Sequence, residues 1–197
     1  MKRTAGSDVC REESFKWYLA GRTAITQFEQ EIQDKCKAAL QKHLAALAQA
    51  LGVSETDLEI GRYSSSAEIR RAPVGKGYVE LGAKAKHRRR GQEFSAHVWW
   101  SAERSKVEQW EKHPHGVQTS VSCKDKSQMD RLYEALDRNV PSRWSSSEPG
   151  TGTAWCWNEI PLARMPQFEK DLDALVADTI KVIRRSGAFR KRKPRAK

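Results

Sequence analysis

Residues 77–101 read GYVELGAKAKHRRRGQEFSAHVWWS, and their pattern predicts two strands joined by a short basic turn. The connection over residues 86–92 is too short for a crossover helix, so the two strands pair as an antiparallel hairpin. Gly91 tolerates a positive φ near the tip of this hairpin. Apolar and polar residues alternate in both strands, as in half-buried strands; the apolar set is Val79, Leu81, Ala83 and Ala85, then Phe94, Ala96, Val98 and Trp100.

The same alternation returns on both sides of the hairpin. Residues 58–63 predict a strand before it, and residues 67–71 either extend that strand or form another. Residues 116–124 and 154–160 predict strands after it. Because short connections join consecutive strands, they form one antiparallel sheet of about 4–5 strands.

A long amphipathic segment precedes the sheet. Apolar residues recur every three or four positions over residues 24–51, which predicts a long N-terminal helix. Thr23 suits its N-cap, and Gly52 follows its last residue. A separate short helix is expected over residues 12–19, ending at Gly21.

Two further helices are predicted in the C-terminal half of the chain. One starts at Ser127, with Asp130 at the capping-box position. The other runs from Pro166 to Arg185. The predicted fold class is therefore α+β, with the long N-terminal helix and these two helices packed on the antiparallel sheet.

This fold divides the 197 residues into three parts. Residues 1–22 form an N-terminal extension with a possible short helix, residues 23–186 a single α+β domain, and residues 187–197 a disordered basic tail. No apolar run reaches the length of a membrane span, and the N-terminus lacks the apolar stretch of a secretion signal. We expect a protein that is not secreted, in the cytoplasm, at the nucleoid or, in a eukaryote, in the nucleus.

Positive charge is concentrated in two stretches of the chain. Residues 63–126 carry 13 Lys/Arg and 7 Asp/Glu, a net charge of +6, and residues 187–197 carry six Lys/Arg and no acid. In the remaining two stretches the charges nearly cancel. Charge focused in this way attracts polyanions, because each neutralised phosphate releases condensed counterions.

These two stretches supply the candidate binding residues. The hairpin tip presents a run of cations on a stiff two-stranded arm that suits phosphate contacts, and the tail suits contacts without sequence preference. The alternative for the hairpin tip is that its charges are simply solvated and protect the sheet edge from pairing with another chain. The candidates are Lys84, Lys86, His87, Arg88, Arg89 and Arg90 in the hairpin and Arg190, Lys191, Arg192, Lys193 and Arg195 in the tail.

Seven tryptophans raise a second possibility for binding. Strand alternation puts Trp99 on the face opposite Trp100, and puts Trp155 and Trp157 together on one face. Core packing is the usual fate of this residue type. If Trp99 is instead exposed on the basic sheet, it can stack unpaired bases.

No catalytic set is evident in the sequence. A metal-dependent nuclease is a remote alternative, because Glu80 and Lys84 have the wrong spacing for its usual motif. His113 and His115 flank a proline and can supply two metal ligands, but two histidines in a polar loop are more often ordinary loop residues. Because the four cysteines include no Cys-x-x-Cys pair, zinc ribbons and thioredoxin-like chemistry are unlikely. We therefore expect no enzyme activity, no cofactor and no metal.

Two function classes follow from these patterns. The first is a non-enzymatic nucleic-acid-binding protein that recognises backbone and shape through the hairpin and the tail. The second is a protein-interaction module or inhibitor, of the kind that mobile elements and phages encode, which occupies a partner that handles nucleic acid. The sequence leaves DNA and RNA equally open and gives no oligomeric state.

Overall fold

The alternating segments pair as expected, and within the described residues six strands form one antiparallel sheet in the order β1-β2-β3-β4-β6-β5. In this computed structural model the described residues are 6–63, 78–87, 91–101, 115–139, 144–146 and 152–189. The strands are β1 (Leu58–Tyr63), β2 (Tyr78–His87), β3 (Glu93–Ser101), β4 (His115–Ser122), β5 (Trp144–Ser146) and β6 (Thr153–Glu159).

This sheet confirms the predicted architecture. The extra strand is β5, which has three residues and pairs at the outer edge against β6. Its short, Ser-rich sequence offers no alternation from which a strand could be predicted. The strand predicted at residues 67–71 lies outside the described residues.

Four α-helices among the described residues pack on one face of the sheet. They are α1 (Gly6–Lys42), α2 (Leu44–Leu51), α3 (Lys126–Asn139) and α4 (Phe168–Ser186). Short 3-10 turns at Glu55–Asp57 and Leu162–Gln167 lead into β1 and α4. The long N-terminal helix and the two helices of the C-terminal half are thus confirmed, with changed boundaries.

The first helix differs from the prediction at both ends. The short helix expected over residues 12–19 is part of α1, which runs unbroken through Gly21. One glycine costs a helix only about 1 kcal/mol relative to alanine, too little to end a helix of this length. The predicted helix over residues 24–51 instead divides at His43, whose backbone (φ −103°, ψ 10°) is not helical. The His43 imidazole lies 2.9 Å from Asp173 of α4, which anchors the break.

The start of α3 was predicted two residues too far along the chain. Asp125, and not Ser127, caps this helix, since its side chain accepts a hydrogen bond of 3.2 Å from the Gln128 backbone N–H. Its carbonyl also accepts the Met129 N–H at 3.1 Å. Asp130 is exposed on the first turn.

The core lies between the helices and the inner face of the sheet. One buried polar pair crosses it: the Thr179 hydroxyl donates to the Leu175 carbonyl at 2.8 Å, so the Thr119 hydroxyl donates to Thr179 at 2.7 Å. The largest buried apolar side chains on either side of this pair are Leu40, Leu47, Phe94, Leu132, Leu172 and Ile183.

The core also continues beyond the predicted domain boundary. Gly187 ends α4 with a φ of +65°, as expected of a C-terminal glycine. Ala188 and Phe189 then pack into the core and are 0% and 1% exposed. The domain therefore extends at least to Phe189, three residues beyond the predicted boundary at residue 186.

The outer face of the sheet, away from the helices, carries buried polar groups. His97 is 1% exposed, and its Nδ1 lies 2.6 Å from Oε1 of Glu80. Gly82 faces His97 across β2 and β3, and a Cβ there would lie 2.5 Å from the His97 Cβ and would also clash with the backbone of β3. Glycine at this position therefore lets the backbone of β3 approach β2 closely.

Candidate nucleic-acid interface

The basic hairpin predicted from the sequence has a well-defined base. β2 and β3 are in antiparallel register from Tyr78 and Ser101 to Lys86 and Glu93. Beyond that pair, the His87 N–H donates to the Gln92 carbonyl at 2.8 Å, and the Gly91 N–H donates to the His87 carbonyl at 3.2 Å. Gly91 has the predicted positive φ, of +63°.

Arg88, Arg89 and Arg90 connect His87 to Gly91 along the chain and lie outside the described residues. The residues on either side of them, His87 and Gly91, are hydrogen-bonded to each other at this end of the sheet.

Two lysines of the hairpin share one acid on the outer face of the sheet. The Lys86 Nζ lies 3.2 Å from Glu93 Oε1, and the Lys84 Nζ lies 3.9 Å from Glu93 Oε2. Both ammonium groups are partly exposed, with side chains 34% exposed for Lys84 and 47% exposed for Lys86. Glu59 pairs with Lys86 across β1 and β2, so this part of the outer face carries two carboxylates beside the two lysines.

His87 does not belong to the exposed surface. It is 5% exposed, and its Nε2 lies 3.8 Å from Asp57 Oδ2 beside the start of β1. The alternation of β2 explains the error, because His87 falls on the same strand face as the buried Ala83 and Ala85. This alternation can be read from the sequence, so the burial of His87 was predictable.

Trp99 is not a stacking platform in this structure. Its side chain is 5% exposed, although it points away from the helices. It lies opposite Gly116, where an added Cβ would come within 3.1 Å of the Trp99 Nε1. Trp155 and Trp157 share the outer face as predicted and are half-buried, so part of each ring faces solvent.

The structure adds cations that sequence reasoning missed. Lys124, on the connection from β4 to α3, and Lys126, the first residue of α3, are both exposed. A Cβ at Gly91 would lie only 3.1–3.3 Å from the Lys124 side-chain carbons, which puts this lysine beside the hairpin base. Neither lysine stands out in the sequence, because Asp125 between them hides the local charge.

A pocket of about 410 Å³ opens between the hairpin base and α3. Its volume is within the usual range of small-molecule sites. Gly91, Lys124, Lys126 and Tyr133 line it together with two acids, Glu93 and Asp130. The pocket thus combines cations, carboxylates and one aromatic ring at the same end of the sheet.

A buried polar network joins the hairpin to α3. Gln92 is fully buried, and its side-chain amide donates to Gln128 Oε1 at 3.3 Å. The Cys123 thiol donates to the same oxygen at 3.2 Å, and Asp125 closes the network through the Gln128 N–H. That hydrogen bond to the Gln128 N–H lowers the pKa of the Asp125 carboxyl. The hairpin and the lysine-bearing connection are therefore held as one unit.

The root of the C-terminal tail lies at this end of the molecule as well. β1 starts here, since Leu58 pairs with His87. The carbonyl oxygen of Phe189 lies against Gly52, six residues before β1, and would clash with a Cβ there. Residues 190–197, with the predicted tail cations, lie outside the described residues.

Among the described residues, the other reactive groups do not form a second site. The Cys36 thiol is buried, and burial raises its pKa to about 12, so it remains protonated. Across the described ranges, no group of three or more His, Cys, Asp and Glu could hold a metal ion. None of the helices described here is both long enough and apolar enough to cross a membrane.

No protein-family model, curated protein or solved structure matches this chain.

Proposed function

We propose that this protein binds nucleic acid through the end of the sheet that carries the hairpin turn. The observation that supports the proposal is that three basic segments of the sequence adjoin this end of the sheet. Arg88–Arg90 lie in the chain between the hydrogen-bonded His87 and Gly91, Lys124 and Lys126 lie at the start of α3, and the basic tail follows Phe189. Like charges repel one another, so their collection at one end favours a polyanionic ligand.

The contacts expected are with the phosphate backbone. Arg and Lys on a turn and a loop can reach phosphates of either DNA or RNA, while the buried Trp99 offers no ring face for base stacking. Half-buried rings at Trp155 and Trp157 lie on the outer face of the sheet. Binding is therefore expected to depend on charge and shape more than on base sequence.

Titration with duplex DNA, single-stranded DNA and RNA at rising salt tests this function. Three hairpin arginines alone would release enough counterions for a log–log slope of about −2 to −3, and the other cations would steepen it. Weak dependence on salt, or no binding to any of the three polymers, would exclude the proposal.

Two double lysine variants distinguish binding at the proposed surface from general electrostatic attraction to the whole protein. Lys124→Ala with Lys126→Ala removes two charges beside the hairpin, whereas Lys37→Ala with Lys170→Ala removes two exposed charges from α1 and α4. The first pair should weaken binding about 10-fold or more and flatten the salt slope by up to about 2. Equal effects of the two pairs would mean that the location of the charge does not matter.

The alternative, a protein-interaction module or inhibitor, predicts a different partner. A pull-down from nuclease-treated lysate distinguishes the two functions. Retention of a stoichiometric protein after nuclease treatment favours the alternative. Loss of all retained material, combined with salt-dependent binding to purified polymers, favours nucleic acid.

A further inference from the structure

The N-terminal half of α1 projects from the domain without a covering layer. Every described side chain from Glu12 to Phe28 is exposed, and the first buried one is Ile32. From Phe15 to Ile32 the helix extends by about 25 Å. Large apolar side chains lie along this projection, with exposures of 60% for Phe15, 78% for Trp17, 60% for Tyr18, 48% for Leu19, 55% for Ile25 and 53% for Phe28.

These residues continue the stripe that packs α1 onto the sheet. At 3.6 residues per turn, Phe15, Tyr18, Ile25 and Phe28 fall within the same arc of roughly 140° as the buried Ile32 and Cys36. The same arc also holds Arg22 and Glu29, so the apolar residues of the exposed half form two clusters on either side of Gly21, while the other half of the stripe is buried in the core. A helix without tertiary packing is only marginally stable in water, so a long uncovered half indicates a partner.

We propose that a second copy of this chain covers this face, with the two α1 helices crossing antiparallel near Gly21. The four stripe residues are arranged symmetrically: Phe15 and Phe28, and likewise Tyr18 and Ile25, are equally distant from the midpoint between Gly21 and Arg22. Under a two-fold axis at that midpoint, Phe15 faces Phe28 of the other copy and Tyr18 faces Ile25.

Glycine at the crossing point fits this arrangement. A Cβ on Gly21 would meet nothing within 4 Å in the single chain, so the protomer itself gives no packing reason for glycine. At a helix crossing, the absence of a side chain lets the two backbones approach closely. Arg22 lies beside the axis, and its long side chain can direct its charge outward to water.

The stripe supplies the apolar centre of a small interface. Its four residues, three aromatic and one aliphatic, are each a little over half exposed and present on the order of 100 Å² apiece. Two facing copies would bury about 800 Å² through these residues, and Trp17 and Leu19, which flank the stripe, would bring the total toward the lower end of stable protein interfaces. Exposed apolar patches of several hundred Å² often mark interaction sites.

This dimer does not depend on the proposed function and is compatible with it. The Arg62 guanidinium, near the end of β1, donates to Gln30 of α1, whereas the start of β1 pairs with His87. The projecting half of α1 therefore leaves the domain at the end opposite the basic hairpin. Two copies joined through α1 would keep both hairpins accessible.

Sedimentation equilibrium of the full chain over a range of concentrations tests the proposal. The chain should form a concentration-dependent dimer, and Ile25→Glu should raise its dissociation constant by about 100-fold or more, because each copy buries an unpaired charge. Gln27→Glu adds the same charge on the opposite side of the helix and should leave dimerisation unchanged. Circular dichroism should show that both variants keep their helices. Tyr18→Glu provides an independent second variant.

Disulfide trapping tests the antiparallel crossing. In a Cys10→Ser background, Gly21→Cys should crosslink to its own copy because it lies at the axis, whereas Phe28→Cys should not, since its counterpart is about 20 Å away. Crosslinking of Phe28→Cys alone would overturn the antiparallel arrangement. Two results would overturn the dimer itself. The first is a wild-type chain that stays monomeric at about 100 µM, whether or not it binds lipid vesicles. The second is an equal loss of dimerisation in the Ile25→Glu and Gln27→Glu variants.

Discussion

At the scale of single residues, glycines decide where this sheet can turn and what its side chains can reach. Gly91 closes the basic hairpin with a positive φ, which other L residues rarely adopt. Gly82 leaves space for His97, whose imidazole approaches Glu80 on the outer face. Positive φ at Gly91 was predictable from the tight basic turn. The role of Gly82 was not, because it depends on the register between β2 and β3.

The hairpin glycine gives the first prediction. Gly91→Ala should lower the free energy of unfolding by about 1–2 kcal/mol, because it forces a Cβ into the left-handed region and against Lys124. Gly61→Ala in β1 is the control, since its Cβ would meet nothing within 4 Å. Denaturant unfolding should show that the control changes little; equal losses would mean that the left-handed backbone at Gly91 is not the cause.

Asp173 gives a prediction about pH. The Lys42 side chain is the main cause that lowers the pKa of this carboxyl, and His43 adds to it. Lys42 Nζ and His43 Nε2 lie 2.7 and 2.9 Å from its two oxygens, where α4 meets the break between α1 and α2. Because the folded-state pKa is below the unfolded value of about 3.9, the carboxylate stabilises the fold above that pH. This contribution is lost as the pH falls through the folded-state pKa.

Asp173→Asn should therefore reduce stability near pH 7 by no more than about 1 kcal/mol, since the site is partly exposed to solvent. The difference from wild type should shrink as the pH falls below about 4. Asp178→Asn, which removes only an exposed pair with Lys181, should have a smaller effect at neutral pH. A deficit in Asp173→Asn that persists unchanged at pH 3 would contradict the electrostatic cause.

At the scale of elements, sequence periodicity was most reliable where one face of a segment packs against a continuous surface. The strands β2 and β3 and the apolar stripe of α4 were predicted closely for this reason. Boundaries set by a single tertiary contact were not predictable. The break at His43 depends on Asp173, which is 130 residues away in the sequence.

The start of α3 is another element boundary that the sequence alone does not determine. Both Asp125 and Ser127 are common N-cap residues, and only the structure distinguishes them. Asp125→Ala should lower the melting temperature by a few degrees, whereas Asp130→Ala should change it little because Asp130 is not the capping residue.

Lowering the pH tests whether the ionised Asp125 carboxylate is what stabilises the start of α3. The pKa of Asp125 is lowered mainly by the hydrogen bond from the Gln128 N–H, so the cap acts above the ordinary Asp pKa and is lost as the pH falls through the folded-state pKa. The effect of Asp125→Ala should therefore fade in acid. A larger loss from Asp130→Ala than from Asp125→Ala would restore the capping box expected from the sequence.

At the scale of the whole molecule, the two ends of the fold differ in chemistry. One end collects the hairpin turn, Lys124 and Lys126, and the root of the tail, while an apolar helix projects from the other. The sequence indicated the hairpin and the tail but not their proximity, which follows from β1 starting beside His87 and α4 ending beside Gly52. The burial of Trp99 was not predictable, because Trp99 lies on the outer face of the sheet, whereas the burial of His87 could have been predicted from the alternation that it shares with Ala83 and Ala85.

The central claim is that the hairpin end binds polyanions as a preorganised surface. The most direct measurement compares nucleic-acid affinity after replacing Arg88, Arg89 and Arg90 by Ala with affinity after deleting residues 190–197. The turn is held by backbone hydrogen bonds at its base, whereas a tail must lose conformational entropy on binding. Per charge removed, the arginine replacement should therefore cost more affinity while the melting temperature stays unchanged. Equal losses per charge, or an unfolded arginine variant, would contradict the account.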